Sequence, residues 1–186
     1  MKIILKELAE LWSEFDKDSL SEFVGFMKTH RKEIIIGIGA GRMGYSVQSF
    51  IMRLSHLGFK SFMIGDTSLP RINRNSLVII NSSSGETLSI KILAEKAKEV
   101  GAKILTISTN ENSSIANLSD KVILIPVFES SQLMKSIYEQ FSMLLFDHVI
   151  HLMVQELDVD EKWIVNNHSI LAVSYTHLTL PTTVSV

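Results

Sequence analysis

The sequence of 186 residues contains no cysteine, which excludes disulfide bonds, thiolate catalysis and cysteine-ligated metal sites. It also lacks a basic excess, since the formal net charge is −2, so nucleic acid and anionic membranes are not expected as partners. The longest apolar stretch, residues 141–154, is shorter than a membrane span and contains Asp147, His148 and His151. Charged residues follow the first methionine too soon for a signal peptide, and we therefore expect a cytoplasmic protein.

Hydrophobic residues make up 46% of the chain, and with only three prolines this length favours one well-packed domain. Near the N-terminus, Ser19 and Glu22 have the spacing of a capping box within a helical pattern. Short apolar runs and amphipathic segments then alternate, which is typical of βαβ units in a doubly wound α/β fold. The predicted helices are residues 4–15, 20–27, 43–57, 88–100 and 136–156, and the predicted strands are residues 34–38, 61–64, 77–80, 104–107 and 122–125.

The end of the chain differs in composition from the rest. Residues 173–186 contain no Asp, Glu, Lys or Arg and show no helical period. They resemble the translated read-through of a sequencing adapter, so we exclude them from the fold and assign the domain to residues 1–172. A genuine flexible or β-like tail is the alternative.

A run of small polar residues stands where a predicted strand ends and a helix begins. The run consists of Ser82, Ser83, Ser84, Gly85, Glu86 and Thr87. Hydroxyl groups at such a place would surround the unpaired N–H groups of the first helical turn, which favour a phosphate group. The sequence thus predicts a site for a phosphorylated ligand, with Ser82, Ser84, Thr87 and the backbone of residues 83–86 as donors. A serine-rich helix cap without a ligand is the alternative, and Glu86 is expected to cap the helix rather than contact the anion.

A second turn, Gly39-Ala40-Gly41-Arg42-Met43-Gly44, has the G-x-G-x-x-G pattern of a dinucleotide-binding loop. Asp66 follows the next strand, where an acidic residue would bind an adenosine ribose. Two observations count against a dinucleotide. Two helices precede the glycine-containing strand, and the serine-rich loop has hydroxyls that a dinucleotide fold would not need.

Together, the two loops resemble the 6-phospho-3-hexuloisomerases, a family within the sugar isomerase (SIS) domain superfamily. The likeness spans about residues 5–171 and rests on four motifs in order, which are Gly39-Ala40-Gly41-Arg42, residues 52–59, Ser82-x-Ser84-Gly85-Glu86-Thr87 and Tyr138-Glu139-Gln140. It implies a single SIS domain, a flavodoxin-like three-layer sandwich with a five-stranded parallel sheet flanked by helices. It further implies a sugar phosphate as ligand, no metal or redox cofactor, and a homotetramer or homodimer with active sites at subunit interfaces.

The chain departs from the family pattern beside the predicted site. Ser83 and Met43 stand where the family has Gly and Ser. The segment before Glu139 is short, and residues 132–135 read Gln-Leu-Met-Lys in place of Gln-Pro-Met-Gly. Residues 168–172 read His-Ser-Ile-Leu-Ala in place of His-Ala-Asn-Leu-Glu. The shortened segment bears on the choice of sugar rather than on the fold.

The resemblance implies conversion of a 3-hexulose 6-phosphate to fructose 6-phosphate through an enediolate. Glu139, at the family's base position, would carry the proton between C2 and C3. Arg42 would stabilise the developing enediolate or bind a sugar hydroxyl. His56 and His168 match family positions and would transfer protons between sugar oxygens, at their own site or at that of a neighbouring subunit. A surface glutamate, a solvated arginine and structural histidines are the alternatives.

Other functions stay open on the sequence alone. An SIS isomerase of another sugar phosphate and a non-catalytic SIS module that senses a sugar phosphate would both contain the serine-rich loop. Glu139 distinguishes an isomerase from a sensor, because a sensor needs no base. His148 and His151 beside Asp147 have a spacing that could bind a metal, but their segment resembles a buried helix and has no further ligand cluster.

Overall fold

Strands and helices alternate along most of the chain and form one sheet with helices on both faces. The structure, a computed structural model, describes residues 1–167, apart from the side chains of residues 161 and 166. The strands are β1 (Ile34–Gly39), β2 (Lys60–Met63), β3 (Ser76–Asn81), β4 (Lys103–Ser108) and β5 (Lys121–Leu124), and the helices are α1 (Lys2–Glu14), α2 (Asp18–Thr29), α3 (Gly41–His56), α4 (Leu88–Glu99), α5 (Ser136–Glu156) and α6 (Glu161–Asn167). No helix in this described part is long and apolar enough to cross a bilayer.

The sheet has the strand order β2-β1-β3-β4-β5, and all neighbouring strands are parallel. This is the strand order of flavodoxin-like folds. The register pairs Gly39, the last residue of β1, with Asn81, the last residue of β3. The carboxyl ends of these two strands therefore lie level with each other. The predicted five-stranded parallel sheet is confirmed.

Alternate residues of each strand enter separate cores. Leu77 and Ile79 of β3 pack with apolar residues of α1, α2, α3 and α5. Val78 and Ile80 point to the opposite face and pack with α4. This division follows from the two-residue period of a strand, and every residue of β3 is buried because both faces are covered. The predicted three-layer sandwich is also confirmed.

The predicted capping box at α2 is wrong. The helix begins at Asp18, so Ser19 lies inside it, and the Ser19 hydroxyl donates to Asp16 Oδ2 at 3.0 Å. Asp16 Oδ1 accepts the backbone N–H of Asp18 at 3.0 Å. The aspartate before the helix therefore takes the role that was assigned to Ser19. Helix α6 was not predicted, and the predicted domain boundary after residue 172 lies outside the described residues.

Candidate active site

The two predicted loops lie at the carboxyl edge of the sheet, at the point where the chain connections diverge. The turn after β1 leads into α3 on one face of the sheet. The loop after β3 leads into α4 on the opposite face. Because β1 and β3 are neighbours, a crevice forms between the two connections. Ligands of doubly wound α/β folds bind in such crevices.

Close packing of the glycine turn places Arg42 at this edge. A Cβ on Gly39 would lie 2.9 Å from the backbone of Gly44, so the end of β1 and the first turn of α3 approach too closely for a side chain. Gly41 has a φ of +55°, in the left-handed region that glycine adopts without steric cost. The chain therefore turns sharply here, and Arg42 lies in the first turn of α3.

The serine loop, residues 82–87, contains two buried hydroxyl groups. Ser82 and Ser83 are 1% and 3% exposed, and within residues 1–167 their hydroxyls have no hydrogen-bond partner. Such atoms are rare, because burial without a partner costs a hydroxyl its hydrogen bonds to water. Ser84 is exposed, and its Oγ accepts the backbone N–H of Glu86 at 3.2 Å. Contacts within the described chain thus leave the Ser82 and Ser83 hydroxyls available to a ligand.

The backbone of the serine loop is fixed from the side of β4. The Ser83 carbonyl accepts three hydrogen bonds, from the Thr109 N–H at 2.9 Å, Thr109 Oγ1 at 2.8 Å and Ser108 Oγ at 3.0 Å. Gly85 has a φ of +66°, and a Cβ there would lie 2.0 Å from Ser113 Oγ. Only glycine fits this position, so the loop has one well-defined course.

Glu86 does not cap α4, contrary to the prediction. Its Oε1 accepts the backbone N–H of Ser114 at 2.7 Å, and this hydrogen bond holds the pKa of the Glu86 carboxyl below its usual range. Thr87 occupies the N-cap position of α4, but its side chain makes no capping hydrogen bond. The Glu86 carboxylate therefore binds the segment after β4, and the Thr87 hydroxyl does not cap the helix.

The structure brings Arg42 and Glu139 together. Arg42 Nη1 lies 2.7 Å from Glu139 Oε2 and donates to Ser136 Oγ at 3.2 Å. Glu139 lies in the first turn of α5, where the helix dipole favours a negative charge. Its side chain is 14% exposed, whereas that of Arg42 is 59% exposed. The pair therefore consists of a sheltered carboxylate and a cation that faces solvent.

The first turn of α3 connects this ion pair to the serine loop. Met43, the residue after Arg42, has its Sδ 3.3 Å from the backbone nitrogen of Ser83. The ion pair and the serine loop therefore adjoin the same helical turn and form one site. The N–H groups of Ser83 and Glu86, which were predicted as phosphate donors, already have partners within the chain.

A buried polar network without a signal in the sequence adjoins Glu139. Its centre is Asn81, which is 0% exposed. Asn81 Nδ2 lies 3.3 Å from Ser46 Oγ and 3.2 Å from Ser142 Oγ, and Oδ1 accepts the Tyr138 hydroxyl at 2.6 Å. Ser142 Oγ donates to the Glu139 carbonyl at 3.1 Å. Burial raises the pKa of Tyr138 well above its usual value, so its hydroxyl keeps its proton.

The segment before α5 borders a cavity of about 410 Å³. Thr109 lines this cavity and also donates to the Ser83 carbonyl, so the cavity and the serine loop share a wall. Lys135 adds a positive charge to the lining. Met134 and Lys135 have φ values of 52° and 61°, a region that residues other than glycine seldom adopt. The cavity lining comprises Thr109, Val127, Phe128, Glu129, Ser130, Gln132, Lys135 and Ile137.

His56 of the sequence prediction does not join the ion pair within one chain. His56 ends α3 and Arg42 lies in its first turn, so their separation of 14 positions spans about 21 Å along the helix. His56 is buried, and its carbonyl accepts Asn167 Nδ2 at 3.4 Å. His168 lies outside the described residues.

His148 and Asp66, the candidates for a metal site and for an adenosine ribose site, make structural contacts instead. The His148 ring packs edge-on against Trp12, with ring centroids 5.3 Å apart. Asp66 Oδ2 accepts the backbone N–H of Met63 at 2.8 Å and closes the turn after the edge strand β2. In the part of the chain that the structure describes, no three His, Cys, Asp or Glu side chains are grouped as metal ligands would be.

Comparison with known proteins places both loops in one family. The family model of the SIS domain matches residues 29–146. The chain belongs to the SIS domain family. Because the match includes the glycine turn and the serine loop, the G-x-G-x-x-G pattern belongs to an SIS domain here rather than to a dinucleotide-binding domain.

Relatives of this SIS protein define the family more narrowly. The 3-hexulose-6-phosphate isomerase of Methanocaldococcus jannaschii is 33% identical over 153 residues, which cover 82% of this chain and 83% of the relative. The 3-hexulose-6-phosphate isomerase of Bacillus subtilis is 32% identical over 178 residues, which cover 89% and 94%. A crystal structure from Methanococcus jannaschii, for which a function as 3-hexulose-6-phosphate isomerase was inferred, has a TM-score of 0.80 at 30% identity and covers 90% of this chain and 96% of its own. The protein thus belongs to the 3-hexulose-6-phosphate isomerase family of sugar-phosphate isomerases.

Proposed function

We propose that this protein isomerises a 3-hexulose 6-phosphate to fructose 6-phosphate. The observation that carries the proposal is the Arg42–Glu139 ion pair, which the first turn of α3 holds beside the serine loop. A carboxylate next to a fixed cation suits a reaction that moves a proton and develops negative charge on oxygen. The names of the two relatives support the substrate.

The serine loop binds the 6-phosphate in this proposal. The hydroxyls of Ser82, Ser83, Ser84 and Thr87 donate to the phosphate oxygens, and the N-terminus of α4 adds a favourable dipole. The two buried serine hydroxyls support this assignment, since a phosphate would supply the acceptors that they lack within residues 1–167. Gly85 contributes by allowing the loop to pass close to Ser113.

Glu139 acts as the base at the other end of the sugar. It takes the proton from C2, and the electrons of that C–H bond form the C2–C3 double bond while the C3 carbonyl oxygen becomes negatively charged. Arg42 stabilises this enediolate. Return of the proton to C3, with transfer of the O2 proton to O3, gives a C2 ketone and a C3 hydroxyl. One carboxylate therefore serves both proton transfers at carbon, and no electrons leave the sugar.

Turnover in the direction of fructose 6-phosphate, coupled to NADPH formation, tests the proposal. We expect the wild type to be active and Glu139→Gln to lose about 10²- to 10⁴-fold in kcat while still binding fructose 6-phosphate. Glu156→Gln is the matched control, because Glu156 ends the same helix and pairs with Lys28. In D₂O, the proton held by Glu139 would exchange with solvent deuterium, so the product would contain deuterium at C3.

Two results would replace the proposal with another function. Turnover of a different hexulose or pentulose phosphate, but not of the 3-hexulose, would retain an isomerase and change its substrate. Binding of fructose 6-phosphate by the wild type without isomerisation of any such sugar would indicate a sensor, and the base role of Glu139 would be wrong.

The active site is completed in an oligomer, a homotetramer or homodimer, in this proposal. Tyr45 and Met52 on α3 and Leu144 on α5 expose large side chains on the two helices that carry the ion pair. Their contact with a second copy would place a subunit interface beside the site. His56 can then contribute only to the site of a neighbouring subunit, because it lies far from Arg42 in its own chain. Light scattering would measure the assembly, and a monomer at micromolar concentration would contradict it.

A further inference from the structure

Helix α1 lies outside the matched SIS region, residues 29–146, but it contacts the segment that precedes Glu139. The contact is made by Glu7, which is 8% exposed. Glu7 Oε1 accepts the Ser131 N–H at 3.0 Å and Ser131 Oγ at 2.7 Å. Glu7 Oε2 accepts Ser130 Oγ at 2.8 Å and Gln132 Nε2 at 2.9 Å. A single carboxylate thus binds three consecutive residues through four hydrogen bonds.

The residues that follow this contact have an unfavourable backbone conformation. Met134 and Lys135 are both in the left-handed region, which brings the Cβ close to the following carbonyl oxygen in any residue other than glycine. Such conformations persist only where the surroundings determine them. Here the chain is held before Met134 by Glu7 and after it by the Ser136 hydroxyl, which donates to the Leu133 carbonyl at 2.7 Å. The hydrogen bonds to Glu7 therefore oppose relaxation of this strain.

The same segment forms one wall of the 410 Å³ cavity, through Ser130, Gln132 and Lys135. Thr109 also lines the cavity, and it donates to the carbonyl of Ser83 in the serine loop. A sugar whose phosphate lies at the serine loop would therefore meet this segment with its hydroxyl groups. Movement of the segment would change the shape of the cavity without changing the serine loop.

We propose that Glu7 is a positioning residue that holds residues 130–135 against the cavity and thereby determines which sugar phosphate the site accepts. The proposal rests on the function proposed above. It assigns a role in substrate choice to a helix that precedes the SIS match. Glu7 acts through the segment that it holds, and it does not touch the substrate.

Tryptic cleavage after Lys135 tests whether Glu7 holds residues 130–135 in place, without any assay of activity. Lys135 is exposed, so release of the segment makes its peptide bond a better protease substrate. We expect Glu7→Gln, which keeps the size of the side chain, to accelerate cleavage after Lys135 by about tenfold while other tryptic sites are unchanged. Glu10→Gln is the control, because Glu10 lies on α1 in an exposed pair with Lys6. Cleavage of Glu7→Gln at the wild-type rate would overturn the proposal.

Measurements of binding and turnover test whether the position of residues 130–135 determines which sugar phosphate is bound. For Glu7→Gln we expect about a tenfold weaker affinity for fructose 6-phosphate, a smaller loss for a pentulose 5-phosphate, unchanged affinity for inorganic phosphate, and a higher KM with a smaller change in kcat. Glu7→Gln combined with Met134→Gly should recover part of the affinity, because glycine removes the strain that the hydrogen bonds oppose. Equal losses for both ligands, or a loss in kcat alone, would contradict the proposal. Since cleavage and binding are measured without catalysis, they remain decisive if the wild type proves not to isomerise a 3-hexulose.

Discussion

The Tyr138 hydroxyl lies 2.6 Å from Asn81 Oδ1, and both residues are 0% exposed. This hydrogen bond joins the last residue of β3 to the first turn of α5, which carries Glu139. The same hydroxyl lies 2.9 Å from the Ile107 carbonyl of β4. The polar network thus fixes the base relative to β3, which the serine loop follows, and to the neighbouring strand β4.

Tyr138→Phe should lower both stability and activity. The substitution leaves Asn81 Oδ1 buried without its donor, which costs about 1 to 3 kcal/mol of unfolding free energy. We also expect a lower kcat, since the first turn of α5 loses its connection to β3. Urea denaturation and coupled kinetics would measure the two effects. An unfolding free energy equal to that of the wild type would contradict the role of the network.

Arg42→Ala should lower activity without unfolding the protein. Loss of a group that stabilises developing negative charge reduces kcat by about 10²- to 10³-fold. The stability should change by less than about 1 kcal/mol, since the arginine of this ion pair is largely exposed. Arg42→Lys should recover part of the activity. Kinetics and thermal unfolding with Arg71→Ala as control would test this, and unchanged kcat in Arg42→Ala would exclude Arg42 from the reaction.

Gly85→Ala should damage the phosphate site. The new Cβ would lie 2.0 Å from Ser113 Oγ in a backbone with φ of +66°, so both collision and strain oppose it. We expect a loss of about 2 kcal/mol or more in stability and weaker binding of fructose 6-phosphate. Gly65→Ala has the strain without the collision, because nothing lies within 4 Å of its Cβ position. Calorimetry on both variants would separate the two causes, and equal losses would show that the collision is unimportant.

Met134→Gly should stabilise the protein. Met134 is 92% exposed, so its side chain contributes little packing, while its left-handed backbone costs about 1 to 2 kcal/mol. The greater flexibility of glycine in the unfolded chain offsets about half of that gain. We expect a net gain of about 0.5 to 1 kcal/mol in thermal unfolding. Leu133→Gly, at the neighbouring exposed position without a positive φ, should give no gain.

The contact of Glu7 with residues 130–132 should persist in acid. Hydrogen bonds from Gln132 and the two serines lower the pKa of Glu7 to about 2. Because this lies below the value of an unfolded glutamate, about 4.3, the contribution of Glu7 to stability is present above that value and is lost as the pH falls through about 2. The segment should therefore stay bound at pH 4. An NMR titration of the Glu7 carboxyl carbon, assigned with Glu7→Gln, would measure this, and a midpoint near 4.5 would contradict it.

The parts of the site that could be predicted from the sequence are those with a local signal or, for Glu139, a match to a family motif. The serine loop stands at a boundary between an apolar run and a helical pattern, and Arg42 follows a glycine turn. Asn81 could not be predicted, because a polar residue at the end of an apolar run is also typical of a turn. Glu7 had no local signal, since its partners lie 123 to 125 residues away along the chain. Repulsion between a carboxylate and a phosphate favoured Glu86 as a helix cap, but its carboxylate accepts the N–H of Ser114 instead.

The three hydrogen bonds to the Ser83 carbonyl have a consequence for the kinetics of binding. They order the serine loop before any ligand arrives, so the entropy of fixing its backbone is lost during folding rather than during association. A phosphate would then meet a rigid receptor. We therefore expect association to be limited by diffusion into the crevice and to show a single kinetic phase, without a slower step of loop closure.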